Sequence, residues 1–141
     1  MSARLVFCFW KWLMGDVKVI PLVDEGLGNS SYLLDLDDGR ALAVDVSRDL
    51  RQVRGLAERR GLGIAYAADT HLHADFLTGA VQLAASDGAQ VLASADGPGV
   101  PAHGAGRRRR GGFGGLRLRA LATPGHTHEH IAFELLARPR C

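Results

Sequence analysis

Two histidines and an aspartate at alternate positions, His71, His73 and Asp75, stand within Thr70-His71-Leu72-His73-Ala74-Asp75-Phe76. In an extended segment residues i and i+2 point to the same side, so His71 and His73 can reach one ion together. Neutral imidazole is the commonest metal ligand, and the Asp75 carboxylate adds a harder oxygen nearby. An isolated pattern of this kind also describes three polar residues of a surface loop. A second segment, Thr123-Pro124-Gly125-His126-Thr127, tips the balance towards metal chemistry. Pro124 and Gly125 make a tight turn that points His126 out of a strand end. His71, His73 and His126 could together make a three-histidine site with one position open for water or substrate.

These side chains need elements to carry them. Residues 64–69 read as a buried strand of small residues that ends at the first motif, and residues 77–85 carry apolar side chains at helical spacing. Upstream, residues 17–23 and 31–36 read as strands, and Asp37-Asp38-Gly39-Arg40 is a turn that pairs 31–36 with 41–46 as a hairpin. Ser47 is expected to cap a helix running to Arg60, with Leu50, Val53, Leu56 and Ala57 on one face and Gly61 as its stop. Asp45 ends its strand beside the predicted site. It is either a solvated strand-end residue or a partner that orients a metal-bound histidine. Downstream, residues 90–94, 116–121 and 131–136 read as strands, the middle one delivering the chain to His126. His128 is expected at the surface and His130 at the start of the last strand. Hairpin strands followed by strand–helix–strand units make an α/β sandwich.

The bulk properties bound the function. At 141 residues this is one domain at most, with enough length for a real core. Lys and Arg number 17 against 15 Asp and Glu, a formal charge of +2, which does not suggest nucleic-acid binding. The two cysteines, Cys8 and Cys141, stand at opposite extremes, so no disulfide framework or cysteine metal cluster is expected. A reducing, cytoplasmic setting is the default. Residues 1–13 are a poor fit to the rest of the chain. Their apolar run is broken by Lys11, far short of the roughly 20 apolar residues of a membrane span, and no signal-peptide cleavage site is visible. We expect a loosely attached extension over 1–13 and a domain over 14–141. In residues 95–115 glycines, two prolines and Arg107-Arg108-Arg109-Arg110 leave little apolar periodicity. A solvated loop accounts for this better than an anion-binding patch, and His103 within it is incidental.

The two histidine segments together resemble the metallo-β-lactamase fold superfamily, whose signature is HxHxDH at a strand end followed by a later histidine, often within TPGHT. The branch resembled holds glyoxalase II and the persulfide dioxygenases, including those associated with rhodanese domains. Asp24-Glu25-Gly26-Leu27-Gly28-Asn29-Ser30-Ser31-Tyr32-Leu33-Leu34 and Ala43-Val44-Asp45-Val46-Ser47-Arg48-Asp49 fit that branch too. The resemblance covers residues 17–136 and implies the N-terminal portion of an αββα sandwich, a mixed sheet with flanking helices. Members of the family continue with a metal-binding aspartate, a further sheet and a last histidine. This chain ends at Cys141 before them, so the expectation is an incomplete copy: a fragment, a truncated product or one part of an assembly. Self-association through an exposed sheet face is then expected.

The resemblance also bears on chemistry. Relatives of the glyoxalase II kind cleave a thioester with metal-activated hydroxide and hold two metals, the second bound by the Asp-His end of HxHxDH. Here Asp75 is followed by Phe76, so the second site lacks a ligand. One divalent metal is expected, iron(II) in preference to zinc. This favours the persulfide dioxygenase relatives, in which iron(II) is held by two histidines and a carboxylate. His71 and His126 would be two of those ligands, and the aspartate would lie in the absent segment. The substrate implied is a small thiol-derived molecule, a low-molecular-weight persulfide. The alternatives are a glyoxalase II-like thioester hydrolase and an inactive metal-binding remnant.

Overall fold

The computed structural model describes residues 4–6, 18–24, 26, 28–73, 77–93 and 116–137. The strands are β1 (Arg4–Val6), β2 (Lys18–Asp24), β3 (Asn29–Asp35), β4 (Arg40–Val44), β5 (Gly63–Ala68), β6 (Gln90–Leu92), β7 (Leu116–Ala122) and β8 (Ile131–Ala137). Helix α1 (Arg51–Arg59) joins β4 to β5, and α2 (Ala80–Asp87) joins β5 to β6. Five strands form one sheet in the order β2-β3-β4-β5-β6, and three form a second in the order β1-β8-β7. The larger sheet is mixed. The β2–β3 and β3–β4 pairs are antiparallel, whereas β4–β5 and β5–β6 are parallel and therefore need the helical crossovers.

The strand period of two sorts side chains onto two cores. On one face of the large sheet Leu33, Ala41, Ala43 and Ala67 pack with Val53 and Ala57 of α1 and with Ala80 and Leu83 of α2. On the other face Leu34, Leu42, Val44 and Ala68 pack with Ile131, Phe133 and Leu135 of β8. Small residues on the helix side let the helices approach closely, while the larger Leu and Val fill the gap between sheets. The layers run helices, five-stranded sheet, three-stranded sheet; β8 of the second sheet covers the face of the large sheet that the sequence reading expects to be exposed. Ala132 and Glu134, on the opposite side of β8, are buried too. Arg119 reaches across the ladder to Glu134 at 2.6 Å.

The helix starts differ from expectation. Ser47 does not cap α1; it forms an isolated bridge with Thr78, and the helix begins at Arg51. The Asp49 carboxylate instead accepts the Arg51 N–H at 3.1 Å. Helix α2 begins at Ala80 rather than at 77, because the Gly79 N–H donates to the Val46 carbonyl at 2.8 Å and the Thr78 hydroxyl accepts the Ala80 N–H at 3.1 Å. Leu77, which the periodicity places in the helix, is exposed. Gly61 does end α1, in a left-handed conformation at φ 65°. The pairing of Arg4–Val6 with β8 is antiparallel, and the rest of the segment 1–13 lies outside the described residues. The arginine- and glycine-rich stretch 95–115 and His103 lie outside them as well.

Candidate metal centre

The site forms where three strand ends meet. Strand β4 delivers Asp45, β5 delivers residues 69–73, and the turn from β7 to β8 delivers residues 123–130. In open α/β sheets ligands bind beyond the carboxyl ends of parallel strands, which is where Asp45 and His71 stand. Asp45 leaves its strand at φ 52°, an uncommon conformation for a side-chain-bearing residue. Its own N–H still bonds the Ala68 carbonyl at 2.8 Å, so the turn stays pinned to β5.

The Asp45 carboxylate organises the first histidine segment. It accepts the Thr70 N–H and the Thr70 hydroxyl, each at 2.8 Å, and meets His73 Nε2 at 3.1 Å. A carboxylate only accepts, so Thr70 gives its one hydroxyl proton to Asp45. The Thr70 oxygen, 2.9 Å from His71 Nδ1, then receives the His71 Nδ1–H, and the neutral ring keeps its lone pair on Nε2. By the same reasoning His73 donates from Nε2 to Asp45. Burial, followed by the neighbouring His73, lowers the His71 pKa, which favours the neutral, ligating form.

The rings converge. The His71 centroid lies 4.1 Å from that of His73, 4.7 Å from His126 and 5.2 Å from His130. The structure thus gathers His73, His126 and His130 around His71 across two sheets, and imidazole nitrogens suit a divalent metal of borderline softness. Asp75 lies outside the described residues. The ligand atoms of a different trio, Asp45, Asp69 and His73, lie within 4.8 Å of one another. Those atoms are already bonded within the protein. Asp45 holds Thr70 and His73, and both Asp69 oxygens accept the Thr78 hydroxyl at 2.8 Å. His73 belongs to both groups, and within the trio Asp45 and Asp69 also hold Thr70 and Thr78 in place. Burial, with the Asp45 charge adding to it, pushes the Asp69 carboxyl up to about 6.

Three contributors escape sequence reasoning. Glu129 is buried and accepts the Leu72 N–H at 3.0 Å, which holds its carboxyl down at about 2. His130 precedes β8 as expected, yet it is buried, stacks on His71 and pairs through Nδ1 with the Thr123 hydroxyl at 2.9 Å. Thr70 is the relay between Asp45 and His71. The available signal was a run of polar residues immediately before an apolar strand, and nothing local distinguishes such a run from a solvated turn. His128 is exposed, as read from the sequence.

No protein-family model matches the chain. Its sequence is 31% identical over 126 residues to a hydroxyacylglutathione hydrolase of Rhodopseudomonas palustris strain BisB18, covering 86% of the chain and 48% of that relative. A metallo-beta-lactamase from Staphylococcus aureus subsp. aureus COL superposes with a TM-score of 0.76 at 32% identity, over 84% of this chain and 38% of that one. The chain belongs to the metallo-β-lactamase fold superfamily. A second metallo-β-lactamase-fold neighbour, ETHE1 from Myxococcus xanthus, superposes with a TM-score of 0.72 at 27% identity, over 84% of this chain and 53% of that one. The chain spans about half the length of the curated relatives it matches. In this metallo-β-lactamase fold no helix among the described residues is long and apolar enough to cross a membrane.

Proposed function

We propose that this chain holds one divalent metal through His71, His73 and His126 and serves oxygen-dependent chemistry on a small thiol-derived substrate. The activity is that of a persulfide dioxygenase with a mononuclear iron(II) centre in a reducing, cytoplasmic setting. The convergence of the three rings, at 4.1 and 4.7 Å from His71, is the observation that carries this reading. Phe76 supports a single metal, since it stands where an imidazole would complete a second site. Iron(II) held there would supply open coordination positions for the substrate sulfur and for dioxygen. The residues around it have separate tasks. Thr70 and Asp45 keep the lone pair of His71 on Nε2, Asp45 orients His73, and the exposed His126 leaves the centre open to solution. Leu72, exposed beside the histidines, offers an apolar rim for the carbon part of a small thiol derivative.

The similarity to hydroxyacylglutathione hydrolases favours a second reading, zinc-dependent thioester cleavage. Metal content of the wild type should be close to one ion per chain and should fall in a His71→Ala, His126→Ala double variant; equal content in both would remove the site assignment. The two reactions should then be measured side by side, with His126→Ala as control. We expect little or no turnover by this chain alone, with any residual activity being oxygen consumption with a low-molecular-weight persulfide under iron(II) rather than thioester cleavage under zinc. Robust zinc-dependent hydrolysis lost in His126→Ala would decide for the hydrolase. Neither reaction, with metal still bound, would leave a metal-binding remnant.

A further inference from the structure

We propose that Glu129 is a positioning residue that fixes the distance between the two histidine-bearing loops. The inference rests on the metal-site reading above and concerns how that site is held together. Leu72 is the residue between His71 and His73, and its backbone N–H donates to Glu129 Oε1 at 3.0 Å. The two residues are 57 positions apart, and they belong to different sheets' loops. His126 lies three positions before Glu129, so this one bond ties the His71–His73 segment to the turn that carries the third ring. Packing does not explain it. The Leu72 side chain is 45% exposed, so its backbone is held by the bond rather than by a buried side chain. The Glu129 carboxylate is itself buried, which an unpaired charge would not tolerate.

The remaining bonds around it show what Glu129 adds. The Thr70 N–H is fixed by Asp45 at 2.8 Å, and the Thr70 carbonyl receives the Ile131 N–H at 2.8 Å. Both act before His71. Glu129 acts after it, so the histidine segment is clamped on either side of its first ring. The other Glu129 oxygen lies 3.3 Å from Nδ1 of the exposed His128. With Oε1 committed to Leu72, Glu129 works through the loop rather than as a ligand. Hydrogen bonds to an ionised acceptor are roughly twice as strong as neutral ones, which suits a carboxylate to this task.

Cobalt(II) titration of the full chain, followed by its visible absorption, tests the proposal because the band reports ligand geometry as well as occupancy. Glu129→Ala should weaken cobalt binding by about 10–100-fold and alter the band, the usual scale for residues that orient ligands. Glu129→Gln, which keeps an acceptor oxygen at the same reach, should recover most of the affinity and the wild-type band. Val53→Ala, in the helix-side core, should lower the unfolding temperature and leave the band unchanged. Wild-type affinity and spectrum in Glu129→Ala would overturn the inference while leaving the metal site standing. Absence of His126-dependent cobalt binding in the wild type would overturn both. Should Glu129→Ala not fold, Glu129→Asp and Glu129→Gln decide. The carboxylate one methylene short should lose binding and the full-length amide should keep it; the reverse order overturns the proposal.

Discussion

Asp45 shows how much of the candidate site's geometry rests on one carboxylate. One carboxylate at a strand end fixes the Thr70 backbone, sets the Thr70 hydroxyl as donor and orients His73. Through Thr70 it also determines which nitrogen of His71 bears the proton. Asn in its place keeps the shape but offers one accepting oxygen instead of two. Asp45→Asn is therefore expected to lower metal affinity by about 10–100-fold with the fold retained. A metal titration alongside circular dichroism checks this, and unchanged affinity would show that Thr70 and the histidines hold their tautomers without it.

At the scale of elements, the entry to α2 lies hard against the turn after β4. A Cβ on Gly79 would come 2.3 Å from the Ser47 carbonyl oxygen and 2.6 Å from Leu50 Cδ2. The Ser47–Thr78 bridge and the Gly79 N–H bond to Val46 press these segments together. This contact starts α2 at Ala80 and so sets where the loop after His73 must rejoin the helix. Gly79→Ala is expected to destabilise the chain by about 1–3 kcal/mol or more, since backbone rather than a flexible side chain must move. Urea unfolding of the two proteins measures it, and an unchanged midpoint would mean that the helix start yields freely.

For the whole molecule the decisive contact is between the sheets. His71 and His73 follow β5 of the five-stranded sheet and His126 stands in the β7–β8 turn of the three-stranded one, so the candidate site exists only while the sheets stay docked. Phe133, 1% exposed, is the largest fully buried side chain at that junction. Phe133→Ala should cost about 3–5 kcal/mol and should weaken metal binding along with stability. A truncation in the helix-side core, such as Leu83→Ala, should cost stability alone. Unfolding curves and metal titrations on both variants separate the two effects. Equal loss of metal affinity in both would show that sheet docking has no special bearing on the site.

The sequence alone determined what depends on local spacing. The period of two places His71 and His73 on one side of an extended segment, Pro124-Gly125 turns His126 out of a strand end, and Asp37-Asp38-Gly39 closes the hairpin of β3 and β4. Proximity between distant segments could not be read this way, because it depends on where the crossovers lay the strands and not on neighbours in the chain. Only the tertiary structure brought Asp45 to Thr70 and His73, Glu129 to Leu72 and His130 onto His71. It also moved the start of each helix, since the Ser47–Thr78 bridge and the Gly79 contact with Ser47 outweigh the propensity of Ser47 to cap. Local chemistry named the candidate histidines, and the packing of two sheets decided which carboxylates hold their segments.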